Sequence, residues 1–322
     1  MCLEGGSNTT SGTDVIVTDN LTKFYGKLKA LDNLSVNVKK GITGFLGPNA
    51  AGKTTTIKIL MGLLTPSSGK ASVLGIDPTK NPLEIRRKVG FLPENPRPYK
   101  YMSGIEFLDF IAKLRGLPTK VRSGEISKLL EQVGLAERGK DKVSTYSRGM
   151  IQRLFIAQTL IGNPDLVILD EPTAGLDPIG REEIINLLAD LRKTGKSIFI
   201  SSHILGEIER VCDYVLIIDR GQLVLEGEVD KIKEEFATGR YKVKSDKPEL
   251  LLKELEGKTY VKDVWIEDNA VMVLPSDDKE FRKGVWELSV NLGCEIFSLE
   301  KELPSLQSIF VSLIKKRGGE IK

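Results

Sequence analysis

Gly47-Pro48-Asn49-Ala50-Ala51-Gly52-Lys53-Thr54 decides the fold class. The stretch fits G-x-x-x-x-G-K-[ST]. Ile42-Thr43-Gly44-Phe45-Leu46 before it is a strand candidate, and the spacing after it predicts a helix over 55–64. Strand, glycine-rich turn and helix in that order are the context in which such a loop cradles phosphates. Its backbone N–H groups point inward, and the helix adds the positive end of its dipole. Gly47, Pro48, Asn49, Ala50, Ala51, Gly52 and Thr55 form the cradle. Lys53 is expected to reach the outer phosphates, and the Thr54 hydroxyl to bind Mg²⁺. The bland alternative is a chance glycine turn.

A partner segment makes that alternative poor. Leu166-Val167-Ile168-Leu169 is short, apolar and β-branched, as suits a strand buried on both faces, and it runs into Asp170 and Glu171. Ligands of open α/β sheets bind at such strand ends. Asp170 is expected to hold Mg²⁺ through its water shell, and Glu171 to orient and polarise an attacking water. His203, the one histidine of the chain, follows another strand candidate over 197–202.

Bulk properties set the frame. At 322 residues the chain has room for about two domains. Lys and Arg number 47 against 44 Asp and Glu, a net charge of +3, which gives no electrostatic case for a nucleic-acid partner. Cys2, Cys212 and Cys294 are scattered and odd in number, which excludes a disulfide framework and a CxxC metal site. No run approaches the ~20 apolar residues of a membrane helix. Residues 1–13 lack a signal-peptide pattern and read as a flexible tail.

Tyr146-Ser147-Arg148-Gly149-Met150 lies shortly before the Asp170 strand. Here the chain resembles the ATP-binding cassette family, whose LSGGQ-type signature it carries in altered form. The resemblance spans about 15–236. Tyr25 matches the aromatic that stacks on adenine, Glu94 the Q-loop, Gly175-Leu176-Asp177-Pro178 the D-loop and His203 the switch histidine. The resemblance implies that His203 contacts the γ-phosphate and steadies Glu171. It also implies that Ser147, Arg148, Gly149 and Met150 face the γ-phosphate held by another subunit, in a two-fold dimer around two ATP molecules. Three positions depart from the family. Ala50 replaces a usual glycine; its N–H survives, so a mild effect is expected. Arg148 and Met150 replace Gly and Gln, a variation associated with export-type ATPases. Glu94 replaces glutamine, can still ligate Mg²⁺, and adds charge beside Asp170 and Glu171.

The expected architecture is an α/β P-loop NTPase cassette over 14–238, with a helical insertion at about 96–163. Ser103 and Glu106 form a capping box there, with Phe107, Ile111 and Leu114 on the buried stripe. Residues 241–322 form a small α+β domain. Strands over 241–245, 261–266, 270–274 and 294–299, with helices over 248–256 and from a Ser276 cap, give the ferredoxin-like order βαββαβ. A break is expected near 239–240.

The resemblance implies an ATP-hydrolysing subunit with Mg²⁺. It would act as a homodimer or beside a paralogous ATPase, on the cytoplasmic face of the cell membrane, driving a separate integral membrane permease, an exporter. The runner-up is a soluble cassette ATPase of translation or DNA repair. Such proteins carry two cassettes or long coiled coils, and neither is here. A third reading, a nucleotide-gated module without turnover, is opposed by intact Lys53, Asp170, Glu171 and His203.

Overall fold

Alternation in Leu34-Ser35-Val36-Asn37-Val38-Lys39 puts the three apolar side chains inside and the three polar ones outside. In the computed structural model, which describes residues 14–318, this run belongs to β2 (Leu28–Lys39), paired antiparallel with β1 (Asp14–Tyr25). The expected tail over 1–13 lies outside the described residues. The chain divides into two units between Val229 and Asp230, ahead of the expected break. Gly239, at φ +76°, makes a turn inside the second unit and is no linker.

In the first unit there follow β3 (Ile42–Leu46), α1 (Lys53–Leu60), β4 (Ser68–Val73), α2 (Pro82–Lys88) and β5 (Val89–Leu92). Next come α3 (Gly104–Leu114), α4 (Thr119–Gln132), α5 (Arg148–Leu160), β6 (Leu166–Asp170), α6 (Pro178–Arg192) and β7 (Ser197–Ser202). The short α7 (Leu205–Ile208), β8 (Tyr214–Asp219), β9 (Gln222–Glu228) and α8 (Val229–Glu235) complete the run up to and across the division. The main sheet has the order β5-β6-β7-β3-β8-β9, parallel except for β9. β3, β6 and β7 are buried along their whole length, which is why they read as unbroken apolar runs. Because the strands are parallel, the residues following β3, β5, β6 and β7 share one edge, and the site is built on that edge.

A second, antiparallel sheet, β2-β1-β4, was not resolved in the sequence. Register shifts between Thr18 and Leu21 interrupt the alternation of β1. Thr18 is buried at a position that reads as polar; its hydroxyl donates to Leu34 O (2.9 Å) and accepts from Val36 N (3.0 Å). Between the sheets lies a core including Ile16, Leu34, Phe45, Ile57 and Phe199, with the Phe45 and Phe199 rings 5.2 Å apart.

The helical insertion starts as expected. Glu106 N donates to Ser103 Oγ (3.2 Å) and Ser103 N donates to Glu106 Oε2 (2.7 Å). Its buried stripe is Phe107, Leu108 and Ala112; Leu114 is exposed instead. α5 returns to the main sheet, where a Cβ on Gly90 would lie 2.0 Å from Thr159 O.

The second unit contains β10 (Tyr241–Ser245), α9 (Pro248–Leu255), β11 (Val261–Glu267), β12 (Ala270–Pro275), α10 (Asp278–Leu292), β13 (Ile296–Lys301) and α11 (Leu306–Gly318). Its antiparallel sheet has the order β11-β12-β10-β13, two split βαβ units that make a ferredoxin-like fold. Tyr241, Val243, Val271 and Val273 pack against Leu251, Leu255, Phe281 and Val285 of α9 and α10. The cap of α10 is Asp277 and not Ser276: Asp277 Oδ1 accepts from Lys279 N and Glu280 N, while Ser276 Oγ donates to Thr259 O. A carboxylate serves the helix N-terminus through charge as well as hydrogen bonding.

Candidate active site

The turn between β3 and α1 is shaped by close approach. A Cβ on Gly47 would lie 2.4 Å from Ile218 O, and one on Gly52, at φ +108°, would lie 2.8 Å from Ala30 O. The β8–β9 hairpin braces the turn from outside, with Gly221 N donating to Ala51 O (2.9 Å) and Asp32 N to Gly221 O (3.0 Å). Ala50 sits at φ +64°. The left-handed region costs a residue with a Cβ about 1–2 kcal/mol, so the departure at Ala50 is one of backbone strain and not only of a retained N–H.

α1 begins at Lys53, two residues earlier than the spacing predicts, and ends at Leu60. Thr54 and Thr55 therefore lie in its first turn, where N–H groups lack intrahelical partners. Lys53 is 6% exposed. Its Nζ donates to Gly47 O (2.7 Å) and Pro48 O (3.0 Å) and pairs with Glu171 Oε1 (3.2 Å).

Asp170, 2% exposed, accepts from Ser201 Oγ at 2.5 Å. Burial pushes its carboxyl above the usual range; hydrogen bonds from Ser201 and Thr54 pull it back, and the charges of Glu94 and Glu171 push it up again. Glu171 follows with its backbone at φ +51°. Its N–H donates to Ser201 Oγ (3.0 Å) and to Ser201 O (3.2 Å). Its carboxylate lies between two partners, Lys53 on Oε1 and His203 Nδ1 on Oε2 at 2.8 Å.

Tyr25, Asn49, Ala50, Ala51, Gly52, Lys53, Thr54, Thr55, Glu94, Glu171 and His203 line one cavity of about 500 Å³, within the usual range for a ligand site. Tyr25 is 46% exposed, with Lys23 Nζ 5.5 Å from the centre of its ring. Gly47, Pro48 and Asp170 stand behind the wall and hold Lys53 and Thr54 from there. Leu28, Ala30 and Ala174 also line the cavity and were missed in the sequence, since small and aliphatic residues carry no chemical signal there.

Ser147, Arg148, Gly149 and Met150 do not line this cavity. Ser147 caps α5, its Oγ accepting from Met150 N (3.2 Å). Arg148 lies across Gly175 of its own chain: a Cβ on Gly175, at φ +68°, would fall 2.2 Å from the guanidinium. Arg148 also lines a separate cavity of about 240 Å³ with Glu94, Asn95, Pro96 and Arg97. Asp177 caps α6, Oδ1 accepting from Gly180 N (2.7 Å).

Among the described residues no three acids, cysteines or histidines are grouped as a metal site. A magnesium ion that keeps its waters and a phosphate oxygen needs only one or two protein donors. Thr54 and Glu94, both near enough to shift the carboxyl of buried Asp170, fit that requirement with it.

A phosphate-binding turn, an acid-tipped strand and a histidine on one sheet edge define the class, a P-loop NTPase. The ABC transporter family model matches residues 31–174. An uncharacterized ABC transporter ATP-binding protein of Nostoc sp. is 37% identical, over 96% of this chain and 92% of its own. The bacitracin transport ATP-binding protein BcrA of Bacillus licheniformis is 47% identical, over 68% of this chain and 71% of its own. A solved ATP-binding subunit of an ABC transporter superposes with a TM-score of 0.62 at 30% identity, over 69% of this chain and 93% of that one. The chain belongs to the ABC transporter ATP-binding proteins and is an ATPase of that family.

Proposed function

We propose that this chain powers an exporter: two copies, or one copy and a paralogous ATPase, close around two ATP molecules and drive a separate membrane permease from the cytoplasmic face. One observation carries the proposal. The chain gathers Tyr25, Lys53, Thr54, Glu171 and His203 around one cavity and leaves Ser147 to Met150 outside it, free to serve a nucleotide on another copy. The similarity to a bacitracin transport protein supports export. The near-neutral charge argues against a nucleic-acid role.

In this reading Tyr25 stacks on the adenine, and the backbone of 47–55 with Lys53 holds the phosphates. Thr54, Asp170 and Glu94 would hold Mg²⁺, which supplies charge neutralisation at the outer phosphates. Glu171 accepts a proton from water as its oxygen bonds to the γ-phosphorus, and the bond to the ADP oxygen breaks. His203 fixes the Glu171 carboxylate through Oε2 and faces the transferred phosphoryl group. Arg148 and Gly175, in contact within the chain, would lie on the surface that meets the other copy. Glu171→Gln keeps shape and loses the base, so turnover is expected to fall by about 10²–10⁴. With ATP and Mg²⁺ the variant should elute from gel filtration as a dimer; a strict monomer with unchanged turnover would refute the assignment.

A further inference from the structure

Ser201, wholly buried near the end of β7, touches Asp170, the last residue of β6, and Glu171 just after it. Its hydroxyl proton goes to Asp170 Oδ1 (2.5 Å), and its oxygen accepts the Glu171 N–H (3.0 Å). One hydroxyl serves as donor and acceptor at once, which fixes the direction of both bonds. The Glu171 backbone adopts φ +51°, a region that a non-glycine residue holds only where its surroundings enforce it. That turn directs the Glu171 carboxylate back to Lys53 and His203. Only backbone also holds the turn from this side, through Ser201 O at 3.2 Å. Ser202 next to it does a local task, its Oγ accepting from Ile204 N (3.0 Å).

We infer that Ser201 is a positioning residue for hydrolysis, whose hydroxyl ties the orientation of Asp170 to the strained backbone of Glu171. The inference rests on reading Asp170 as metal-holding and Glu171 as water-activating. An alanine at 201 keeps β7 intact and removes both bonds. Asp170 then loses its Ser201 donor, and the left-handed backbone of Glu171 keeps only the longer bond to the carbonyl of residue 201. Binding of ATP, made by the loop and Tyr25, is left in place.

The test uses the full-length chain. Ser201→Ala is expected to lower kcat about 10- to 100-fold, the cost of a misplaced catalytic group, with KM for ATP changed by no more than about two-fold. The Mg²⁺ concentration for half-maximal activity should rise. Ser201→Thr, which keeps the hydroxyl, should recover activity, and Ser201→Val, of the same size without it, should not. Unchanged kcat and Mg²⁺ dependence in a folded Ser201→Ala protein overturns the inference, as does Val working as well as Thr. If the buried site accepts neither larger side chain, the alanine protein alone decides by the same two measurements, with its fold checked by circular dichroism. Glu171→Gln measured in parallel separates the two levels. If that variant is inactive while Ser201→Ala is normal, only the role of Ser201 fails. If it turns over normally, the reading of Glu171 fails.

Discussion

The two units place their irregular features differently. In the first, left-handed non-glycine backbone also occurs at Asn20, Asn33, Leu74, Asn163 and Arg220, but only at the carboxyl ends of the parallel strands does it stand beside buried charge: Ala50 and Glu171 in left-handed backbone, Lys53, Asp170 and Glu171 buried. Each is held by neighbours, through Ser201, Thr54, His203 or loop carbonyls. In the second unit the non-glycine left-handed residues are Asp268 and Asn269, in the two-residue turn between β11 and β12. That is the turn chemistry a tight hairpin asks for. Asp277 caps one end of α10, and Gly293, at φ +58°, the other. Left-handed backbone paired with satisfied buried charge marks a working site; the absence of that pairing marks a scaffold.

Four substitutions put that contrast at risk. Phe281, fully buried against Tyr241, is an anchor of the second core. Phe281→Ala is expected to cost about 3–5 kcal/mol. Calorimetry should show the transition of the second unit falling while that of the cassette stays, and a cassette that melts with it breaks the division. Tyr25→Ala is expected to cost about 1–3 kcal/mol of nucleotide stacking, seen as a raised KM with kcat nearly constant. A large fall in kcat at saturating ATP would contradict the stacking role. Ala50→Gly removes left-handed strain and should raise cassette stability by about 1 kcal/mol in a denaturant titration. Smallest is Ser245→Ala. The Ser245 hydroxyl is buried without a partner in the second unit, so its loss should be neutral to about 1 kcal/mol stabilising. That is opposite in sense to Ser201→Ala, where a buried serine is bonded twice; equal losses at both serines would erase the contrast.

Legibility followed chemistry. The loop over 47–54 and the strand ending at Asp170 could be read because glycine, lysine and paired acids in a strand–turn–helix context admit few meanings. β10 could be read from its alternation, α9 and α10 from their helical spacing, and β11 and β12 as short apolar or β-branched runs parted by the Asp268-Asn269 turn. β1 could not be, because buried Thr18 and Thr22 are satisfied by hydrogen bonds that a hydropathy pattern does not contain. Asp277 and Ser276 both suit a helix cap, and only the backbone path chooses between them. The left-handed turn at Glu171, the seat of Arg148 on Gly175 and the double bond of Ser201 are three-dimensional facts with no local signature.

The contact of Gly221 with Ala51 ties the phosphate loop to a hairpin made much later. At 5–20 residues per second, the roughly 170 residues between them take about ten to thirty seconds to synthesise. During that interval the nascent chain displays the whole nucleotide motif without the backbone brace that shapes it. A ribosome stalled before the hairpin would therefore carry a phosphate loop that lacks its Gly221–Ala51 brace.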